Sequence, residues 1–450
     1  MKEDIFTKLA NYAQYNNGLI PIDHAMSISA KIYYSELGQR EIAKEDIDYI
    51  DDRSDVKDLG IVEDYITASH LGPLFSLPLS RWLVEKWFYL QQKGLQKFIW
   101  LEMGPGEGQL FQQIWDHTYE IPGFHNSISH IIFLEFSNIL AKKQRNIVEY
   151  CIKNKNSSYN SQYDNISTTN FIHCCNIDEV VNNLKKIKLP TIGFANEFFD
   201  ALPIKQFYKS SDKIHEVMLK PDLKTKSFNL VLSKFNNNEN FNYYKNIPEN
   251  GIVEISPVSD YIIDNLSFCY NILPFFSLLC IDYGYWDPLF ASTIQAIHFH
   301  KKLKNPFNYL GNADISSLVD FFSLKQVFFY GSMQKYNIKN NKDHLSKDIS
   351  EITNNDTKNY LFLTQKEFLL KYGINEFFKQ IKNKLLLFDD KFIKFNKINK
   401  NLSVDSTQQN IYNDRISILK RQKNRLIDIN KMGNLFKFLC LSWDNSDNSN

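Results

Sequence analysis

A glycine-rich turn between a strand and a helix most constrains how this chain can fold. The turn reads Met-Gly-Pro-Gly-Glu-Gly-Gln, and it follows the apolar run 98–101, which is typical of a buried strand. The apolar pattern over residues 110–115 then predicts a helix. Gly104, Gly106 and Gly108 free the backbone to take positive φ and let a ligand approach the main chain closely. The turn therefore predicts a ligand site at the carboxyl end of a strand in an α/β sheet.

Two acids flank this predicted site. Glu102 lies two residues before the first glycine, and Glu135 directly follows the second apolar run, 131–134. A carboxylate accepts hydrogen bonds without donating any, so Glu135 suits the two hydroxyls of a ribose. By itself, an acid at a strand end is more often an exposed surface residue. Together, the turn and the two acids indicate a nucleotide-like cofactor.

The chain alternates between strand-like and helix-like segments, which argues for a mostly parallel, doubly wound sheet. The predicted strands of this sheet are 98–101, 131–134, 171–174, 191–195, 275–281, 360–363 and 436–441. Between the fourth and fifth strands, residues 205–232 predict three short antiparallel strands. We expect four segments: an N-terminal helical or lid region (1–95), the first half of the core (96–204), an antiparallel β insertion (205–250) and the second half of the core (251–450). Residues 338–359, rich in Asn, Lys and Asp, predict a disordered loop.

The composition excludes several other classes of protein. Lys and Arg number 52 against 51 Asp and Glu, so no charge excess points to a nucleic-acid partner. No apolar run approaches the ~20 residues of a membrane span. The six cysteines lack metal-ligand spacing, so no metal is predicted. We expect a soluble protein of a bacterial cytoplasm, or of the mitochondrial matrix if the source is eukaryotic; the oligomeric state is not predicted.

A second polar cluster follows the fourth predicted strand. Asn196, Glu197 and Asp200 come at the edge where an α/β site opens, together with two phenylalanines. Such a cluster can simply cap a helix, but two acids three residues apart beside aromatic rings also form a cradle for a cation. Asp282 occupies the equivalent place after the fifth strand. Asp64 lies in a segment that suits either a lid or a helix cap.

Several motifs of this sequence resemble the MidA family of class I S-adenosylmethionine-dependent methyltransferases. They are the acid and glycines of the turn, the blocks 196–207, 281–284, 311–315 and 319–321, and the late block 432–437. The resemblance implies a Rossmann-like seven-stranded class I methyltransferase sheet. It also implies S-adenosylmethionine as cofactor, S-adenosylhomocysteine as product and a protein substrate. In this family, the expected reaction is dimethylation of an arginine on the quinone-module subunit of NADH:ubiquinone oxidoreductase (complex I).

This resemblance and the chemistry of the residues assign expected roles. The cofactor-binding set is Glu102, Gly104, Gly106, Gly108, Glu135 and Asn196, with Glu102 near the amino-acid end of the cofactor and Glu135 on its ribose. The catalytic set is Glu197 and Asp200, with Asp282 and Asp64 as further candidates. Carboxylates can grip the planar guanidinium of an arginine bidentately and hold one nitrogen toward the methyl group.

Two alternatives remain open. The family's Pro-Glu pair after the Asp64 motif is replaced here by Ser69 and His70. This departure keeps open a chaperone for complex I assembly that binds the cofactor without catalysing transfer. A nicotinamide-dependent oxidoreductase fits less well, because its G-x-G-x-x-G pattern requires a glycine where Gln109 stands.

Overall fold

The computed structural model describes residues 4–35, 72–154, 169–211, 213–234, 247–298, 301–331, 358–385 and 405–446. Asp64 and the departing motif around it lie outside the described residues. So does the predicted disordered loop, apart from its last two residues, which begin a strand. Among the described residues, no helix is both long and apolar enough to cross a membrane.

The described residues contain strands and helices in alternation. The strands, β1 to β16 in chain order, are Ile20–Pro21, Phe98–Met103, Ile128–Leu134, Asn170–Cys174, Thr191–Asn196, Lys205–Ser210, Lys213–Asp222, Ser227–Lys234, Ile252–Ile255, Phe275–Tyr285, Gln295–His298, Lys301–Lys302, Asp314–Ser316, Val319–Asp320, Lys358–Thr364 and Phe436–Asp444. The α-helices, α1 to α12, are Ile5–Tyr15, Ile22–Ser35, Pro73–Gln92, Gln109–Thr118, Phe124–Ser127, Asn138–Asn154, Ile177–Ile187, Pro257–Ser267, Phe321–Tyr330, Gln365–Lys371, Asp405–Ile427 and Met432–Leu435. Residues 374–385 are also helical.

A large mixed sheet forms the centre of the molecule. Its strands lie in the order β15-β16-β10-β5-β2-β3-β4, and the short β14 also pairs with β10. From β10 to β4, neighbouring strands are parallel, whereas β16 runs antiparallel to both of its neighbours. The described sheet thus has eight strands where seven were predicted, because the two-residue β14 is too short to give an apolar run in the sequence.

Helices cover both faces of this sheet. One hydrophobic cluster includes residues of α3, α4, α6, α10 and α11, and the other includes residues of α7, α8 and α9. All six residues of β2 are buried, as expected for a strand covered on both faces. The chain passes from β2 to β3 on one side, and β5 lies on the other side. The strand order therefore reverses at β2. Open α/β sheets have their ligand crevice at such a point, which here is at the carboxyl ends of β2 and β5.

A second, antiparallel sheet lies beside the first. It joins β1, β6, β7, β8 and β9, and α1 and α2 contribute to the hydrophobic cluster on it. The sheet therefore draws on more of the chain than the predicted insertion: β1 comes from the N-terminal region, and β9 follows residue 250. The predicted segment boundaries stay predictions. A small three-stranded sheet of β11, β12 and β13 shares the same hydrophobic cluster.

Close packing at Gly284 predicts a sensitive position in the central sheet. A Cβ atom at Gly284 would lie 2.3 Å from the carbonyl oxygen of Val319 and 2.6 Å from the ring of Phe321. We expect Gly284→Ala to lower the free energy of unfolding by roughly 1–3 kcal/mol, since β14 has to move. Urea unfolding measures this, with Ser442→Ala on the neighbouring β16 as a control that should stay within about 0.5 kcal/mol of the wild type. A Gly284→Ala protein as stable as the control would contradict the packing.

Candidate active site

The glycine turn connects β2 to α4, and its three glycines have different surroundings. Gly104, Gly106 and Gly108 all have positive φ, at 63°, 56° and 86°. A Cβ atom at Gly104 would lie 2.6 Å from the ring of Phe198, so this glycine permits a close approach between two turns. A Cβ atom at Gly106 would meet nothing within 4 Å. The open space for a ligand therefore lies at Gly106.

Glu102 is a buried acid whose charge is not balanced by the described residues around it. Its side chain lies near the end of β2, the residue is only 2% exposed, and Oε2 accepts no hydrogen bond within the described structure. Burial raises the pKa of Glu102 to about 8. An unpartnered buried carboxylate is costly, and a bound ammonium group would remove that cost.

Glu135 has the opposite environment, since both of its carboxylate oxygens accept hydrogen bonds. Ser137 N donates to Oε1 at 2.8 Å, and Gln144 Nε2 donates to Oε2 at 3.0 Å. Gln144 Nε2 also donates to the carbonyl of Gly106 at 2.6 Å. Gln144 thus ties the predicted ribose acid to the glycine turn. Because it lies in the middle of α6, nothing in the sequence pattern identified it.

An exposed aromatic ring stands beside Glu135. Phe136 is 55% exposed and stacks on Phe198, with ring centroids 6.4 Å apart and planes within 16°. An exposed large apolar ring next to a buried carboxylate offers a flat surface to a ligand's ring system. Phe136 was not among the predicted site residues, although its position directly after Glu135 was a usable signal.

The turn after β5 is held by one carboxylate. Asp282 Oδ2 accepts hydrogen bonds from the backbone amides of Phe198, Phe199 and Asp200 at 3.2, 3.0 and 3.2 Å. Oδ1 accepts from Tyr283 N at 3.0 Å. Burial and nearby Glu197 raise the pKa of Asp282, and these amide bonds offset part of the rise. The geometry makes Asp282 a positioning residue for the turn, while its predicted catalytic role stays a prediction.

Asn196 and Glu197 begin the same turn. Glu197 has φ of +50°, a conformation that few non-glycine residues adopt. Asn196 Nδ2 donates to Glu197 Oε1 at 3.5 Å, while Asn196 Oδ1 is buried and accepts no hydrogen bond within the described structure. Asn196 therefore presents a second unpartnered acceptor near the crevice. The positive φ of Glu197 is a form of backbone strain that clusters at functional sites.

Asp200 belongs to a group of acids at the mouth of the crevice. Burial raises its pKa well above the usual range, and the charges of Asp282 and Asp314 raise it further. Asp314 accepts a hydrogen bond from the Tyr34 hydroxyl at 3.1 Å. The structure thus brings Asp200, Asp282 and Asp314 together. Asp314 was predicted only as part of a family motif, and Tyr34 was not predicted. A cluster of mutually repelling carboxylates favours a cationic partner.

A family model identifies the chain. The model described as "Putative S-adenosyl-L-methionine-dependent methyltransferase" matches residues 78–338, more than half of the sequence. The chain belongs to this family. The predicted membership of a MidA-type methyltransferase family is therefore confirmed, and S-adenosylmethionine is the cofactor of the family.

Curated relatives of this methyltransferase-family chain include two animal proteins. It is 28% identical over 281 residues to the protein arginine methyltransferase NDUFAF7 homolog, mitochondrial, of Caenorhabditis elegans. This match covers 59% of this chain and 61% of the relative. It is 26% identical over 282 residues to protein arginine methyltransferase NDUFAF7, mitochondrial, of Xenopus tropicalis, covering 60% and 61%. The matches thus span less than two thirds of these relatives.

Solved structures show the same fold. A Burkholderia thailandensis protein bound to S-adenosyl-homocysteine, described as a "likely methyl transferase", has a TM-score of 0.63 at 17% identity, covering 97% of this chain and 91% of the other. A native structure of a protein from the same organism gives a TM-score of 0.62 at 16% identity, covering 98% and 91%. The chain therefore has a mixed α/β methyltransferase-like fold around a central sheet.

The residues at the crevice fit S-adenosylmethionine. The cofactor carries an ammonium group and two ribose hydroxyls, all hydrogen-bond donors. Glu102 Oε2 and Asn196 Oδ1 are unpartnered acceptors, and Glu135 retains lone pairs beside its two donors. Gly106 leaves room against the main chain. Every predicted cofactor residue thus lies at this crevice or in the turns that border it, and the individual roles stay predictions.

The environment of Glu102 predicts a pH-dependent stability of the cofactor-free protein. Its pKa is raised from 4.5 to about 8, so the folded state binds a proton that the unfolded state has released over this range. The contribution of Glu102 to stability therefore falls as pH rises from about 4.5 to about 8, by a few kcal/mol in total. We expect the melting temperature of Glu102→Gln to rise relative to that of the wild type as the pH increases from about 4.5 to about 8.

Thermal unfolding at pH 5 and pH 8.5 without cofactor measures the effect. Glu107→Gln is the matched control, because Glu107 is an exposed acid of the same turn that pairs with Lys143. The control should follow the wild-type pH profile. Parallel profiles for wild type and Glu102→Gln would show that Glu102 is not the buried, unpartnered acid described above.

Proposed function

We propose that this protein transfers a methyl group from S-adenosylmethionine to an arginine nitrogen of a protein substrate. The observation that carries the proposal is the group of buried and half-buried carboxylates, Asp200, Asp282 and Asp314, beside the cofactor crevice. An acceptor that is cationic at any ordinary pH matches this group, since the guanidinium pKa is about 12.5 or higher. The names of the animal relatives point to the same reaction.

The fold is compatible with this assignment. We propose that the path β15-β16-β10-β5-β2-β3-β4 is the Rossmann-like seven-stranded sheet of a class I methyltransferase, with β14 as an addition that pairs with the last two residues of β10. The supporting features are the five parallel strands β10, β5, β2, β3 and β4, the antiparallel strand β16, and the reversal of the strand order at β2.

The chemical step is an in-line displacement at the methyl carbon. When bound, S-adenosylmethionine supplies an electrophilic methyl group on a sulfonium. In the proposed mechanism, Glu102 and Asn196 hold the amino-acid end of the cofactor, and Glu135 holds its ribose. The main chain of the glycine turn lies against the rest of the cofactor. Alignment of reactants in this way is worth roughly 7–11 kcal/mol.

The carboxylates act on the acceptor. We propose that Glu197 and Asp200 grip the guanidinium and orient one nitrogen toward the methyl carbon, while Asp282 keeps their turn in place. The new nitrogen–carbon bond forms as the sulfur–carbon bond breaks, and one proton must leave the methylated guanidinium. Asp200 is the proposed proton acceptor, because its raised pKa makes it a better base than an ordinary aspartate. Asp64 remains a further candidate from the sequence.

The physiological target rests on the family resemblance. We propose dimethylation of an arginine on the quinone-module subunit of complex I, in a bacterial cytoplasm or, in a eukaryote, the mitochondrial matrix. The names of both relatives describe those proteins as mitochondrial. The alternative is a complex I assembly chaperone that binds the cofactor without catalysing transfer. The replacement of the family's Pro-Glu pair by Ser69 and His70 is the observation in its favour.

Variants at the two halves of the site test the enzyme proposal. We expect Gly106→Val to abolish cofactor binding, because the β-branched side chain would occupy the open space and oppose a φ of +56°. Isothermal titration with S-adenosylmethionine measures this binding. Undiminished binding by a folded Gly106→Val protein would place the cofactor elsewhere.

We expect Asp200→Asn to bind the cofactor normally but to transfer methyl groups roughly 100-fold more slowly, since the proposed base is lost. Mass spectrometry of arginines on the co-expressed complex I subunit measures the transfer. Asp287→Asn, an exposed acid just beyond β10, is the control. A fully active Asp200→Asn protein would remove Asp200 from the mechanism. An arginine that is equally methylated with and without this protein would favour the chaperone.

A further inference from the structure

The C-terminal end of α2 touches both halves of the candidate site. Ser137 Oγ donates a hydrogen bond to the backbone carbonyl of Tyr34 at 2.8 Å. The same residue donates its backbone N–H to Glu135 Oε1 at 2.8 Å. The last carbonyls of a helix have no partner within the helix, so Ser137 supplies one of the missing donors. Glu135 and the end of α2 are therefore joined through a single residue.

The side chain of Tyr34 continues this connection to the acids of the acceptor side. Its hydroxyl donates to Asp314 Oδ1 at 3.1 Å. Burial raises the pKa of Tyr34, and nearby Asp314 and Asp200 raise it further, so the hydroxyl remains a donor at ordinary pH. The path from Glu135 to Asp314 thus runs through Ser137 and Tyr34 by three hydrogen bonds.

The segment 311–317, which includes Asp314 and the rest of β13, is held at both of its ends. Gly311 N donates to Ser29 Oγ on α2 at 2.8 Å, and a Cβ atom at Gly311 would lie 3.1 Å from Ile32. At the other end, Ser317 N donates to the carbonyl of Asp200 at 3.0 Å. The segment 311–317 therefore connects α2 to the turn that carries Asp200.

We propose that Tyr34 is a positioning residue that links the ribose side of the site to the acceptor side, so that cofactor binding stabilises the segment 311–317 and Asp314. The inference rests on the proposed function, because it takes Glu135 as the cofactor's ribose acid. Ribose hydroxyls bound to Glu135 hold its carboxylate in place, which fixes Ser137 and the end of α2. Asp314 is then held more firmly beside Asp200 when the cofactor is bound.

The proposed coupling means that cofactor binding at Glu135 changes the stability of the segment 311–317. A hydrogen-bonded connection transmits an effect only if the ligand changes the stability of the connected segment. The amides of residues 311–317 report that stability directly through hydrogen exchange, and no acceptor substrate is needed.

Hydrogen exchange with and without S-adenosyl-homocysteine tests the proposal on the full chain. We expect the ligand to slow exchange of peptides covering 104–110 and 311–317 in the wild type, the latter by on the order of tenfold. In Tyr34→Phe and in Ser137→Ala, protection of 104–110 should remain, whereas protection of 311–317 should be lost. Tyr33→Phe removes a hydroxyl from the same turn of α2 and is the matched control, which should behave as the wild type.

The outcomes separate the inference from the proposed function. Protection of 311–317 that survives in either Tyr34→Phe or Ser137→Ala overturns the inference, as does its absence in the wild type when 104–110 is protected. If the ligand protects neither segment in the wild type, the assignment of the cofactor site itself fails, and the proposed function fails with it.

Discussion

The hydrogen bonds from three successive amides to the Asp282 carboxylate organise the rest of the site. Because β10 lies directly beside β5, a carboxylate near the end of β10 reaches the turn that follows β5. The turn then places Phe198 against Gly104 and Asp200 among the other acids. Each of these bonds is of ordinary length, 3.0–3.2 Å, and their combined effect is to hold three successive residues of the turn. One buried side chain therefore fixes both the wall of the cofactor crevice and the orientation of the acceptor acids.

Buried carboxylates elsewhere in the molecule show why Glu102 is distinctive. Glu254, in the antiparallel sheet, is also buried, but it accepts hydrogen bonds from Gln206 Nε2 at 2.7 Å and from Thr293 N at 2.8 Å. The fold itself thus supplies hydrogen-bond donors to the Glu254 carboxylate. Glu102 Oε2 has no such donor in the described structure, although its neighbours on β2 are fully packed. The contrast separates acids that maintain the architecture from one that is available to a ligand.

The sequence predicted the parts of this site that depend on local pattern. A glycine turn between a strand and a helix, and acids at strand ends, follow from chain order, so Glu102, Glu135 and Asn196 could be placed near one another. Gln144 and Tyr34 could not be, since they contact the site across 38 and 280 residues and belong to helices whose pattern reports only packing. The hydrogen bonds that Asp282 accepts were not predicted for the same reason, because backbone donors in the turn after another strand leave no mark on the local sequence pattern. β1 was missed because two residues between helices give no strand period.

The pairing of β1 with β7 has a consequence for how the chain is made. Ile20 pairs with Leu219, about 200 residues further along the sequence, and α1 and α2 bury their apolar faces in the cluster that β7 helps to form. When the N-terminal helices leave the ribosome, the surface that covers them has not yet been synthesised. Nearly half of the chain must emerge before they have a partner, and contacts of such long range are slow to form. Residues 5–35 therefore reach their native environment only after about 200 further residues have been translated.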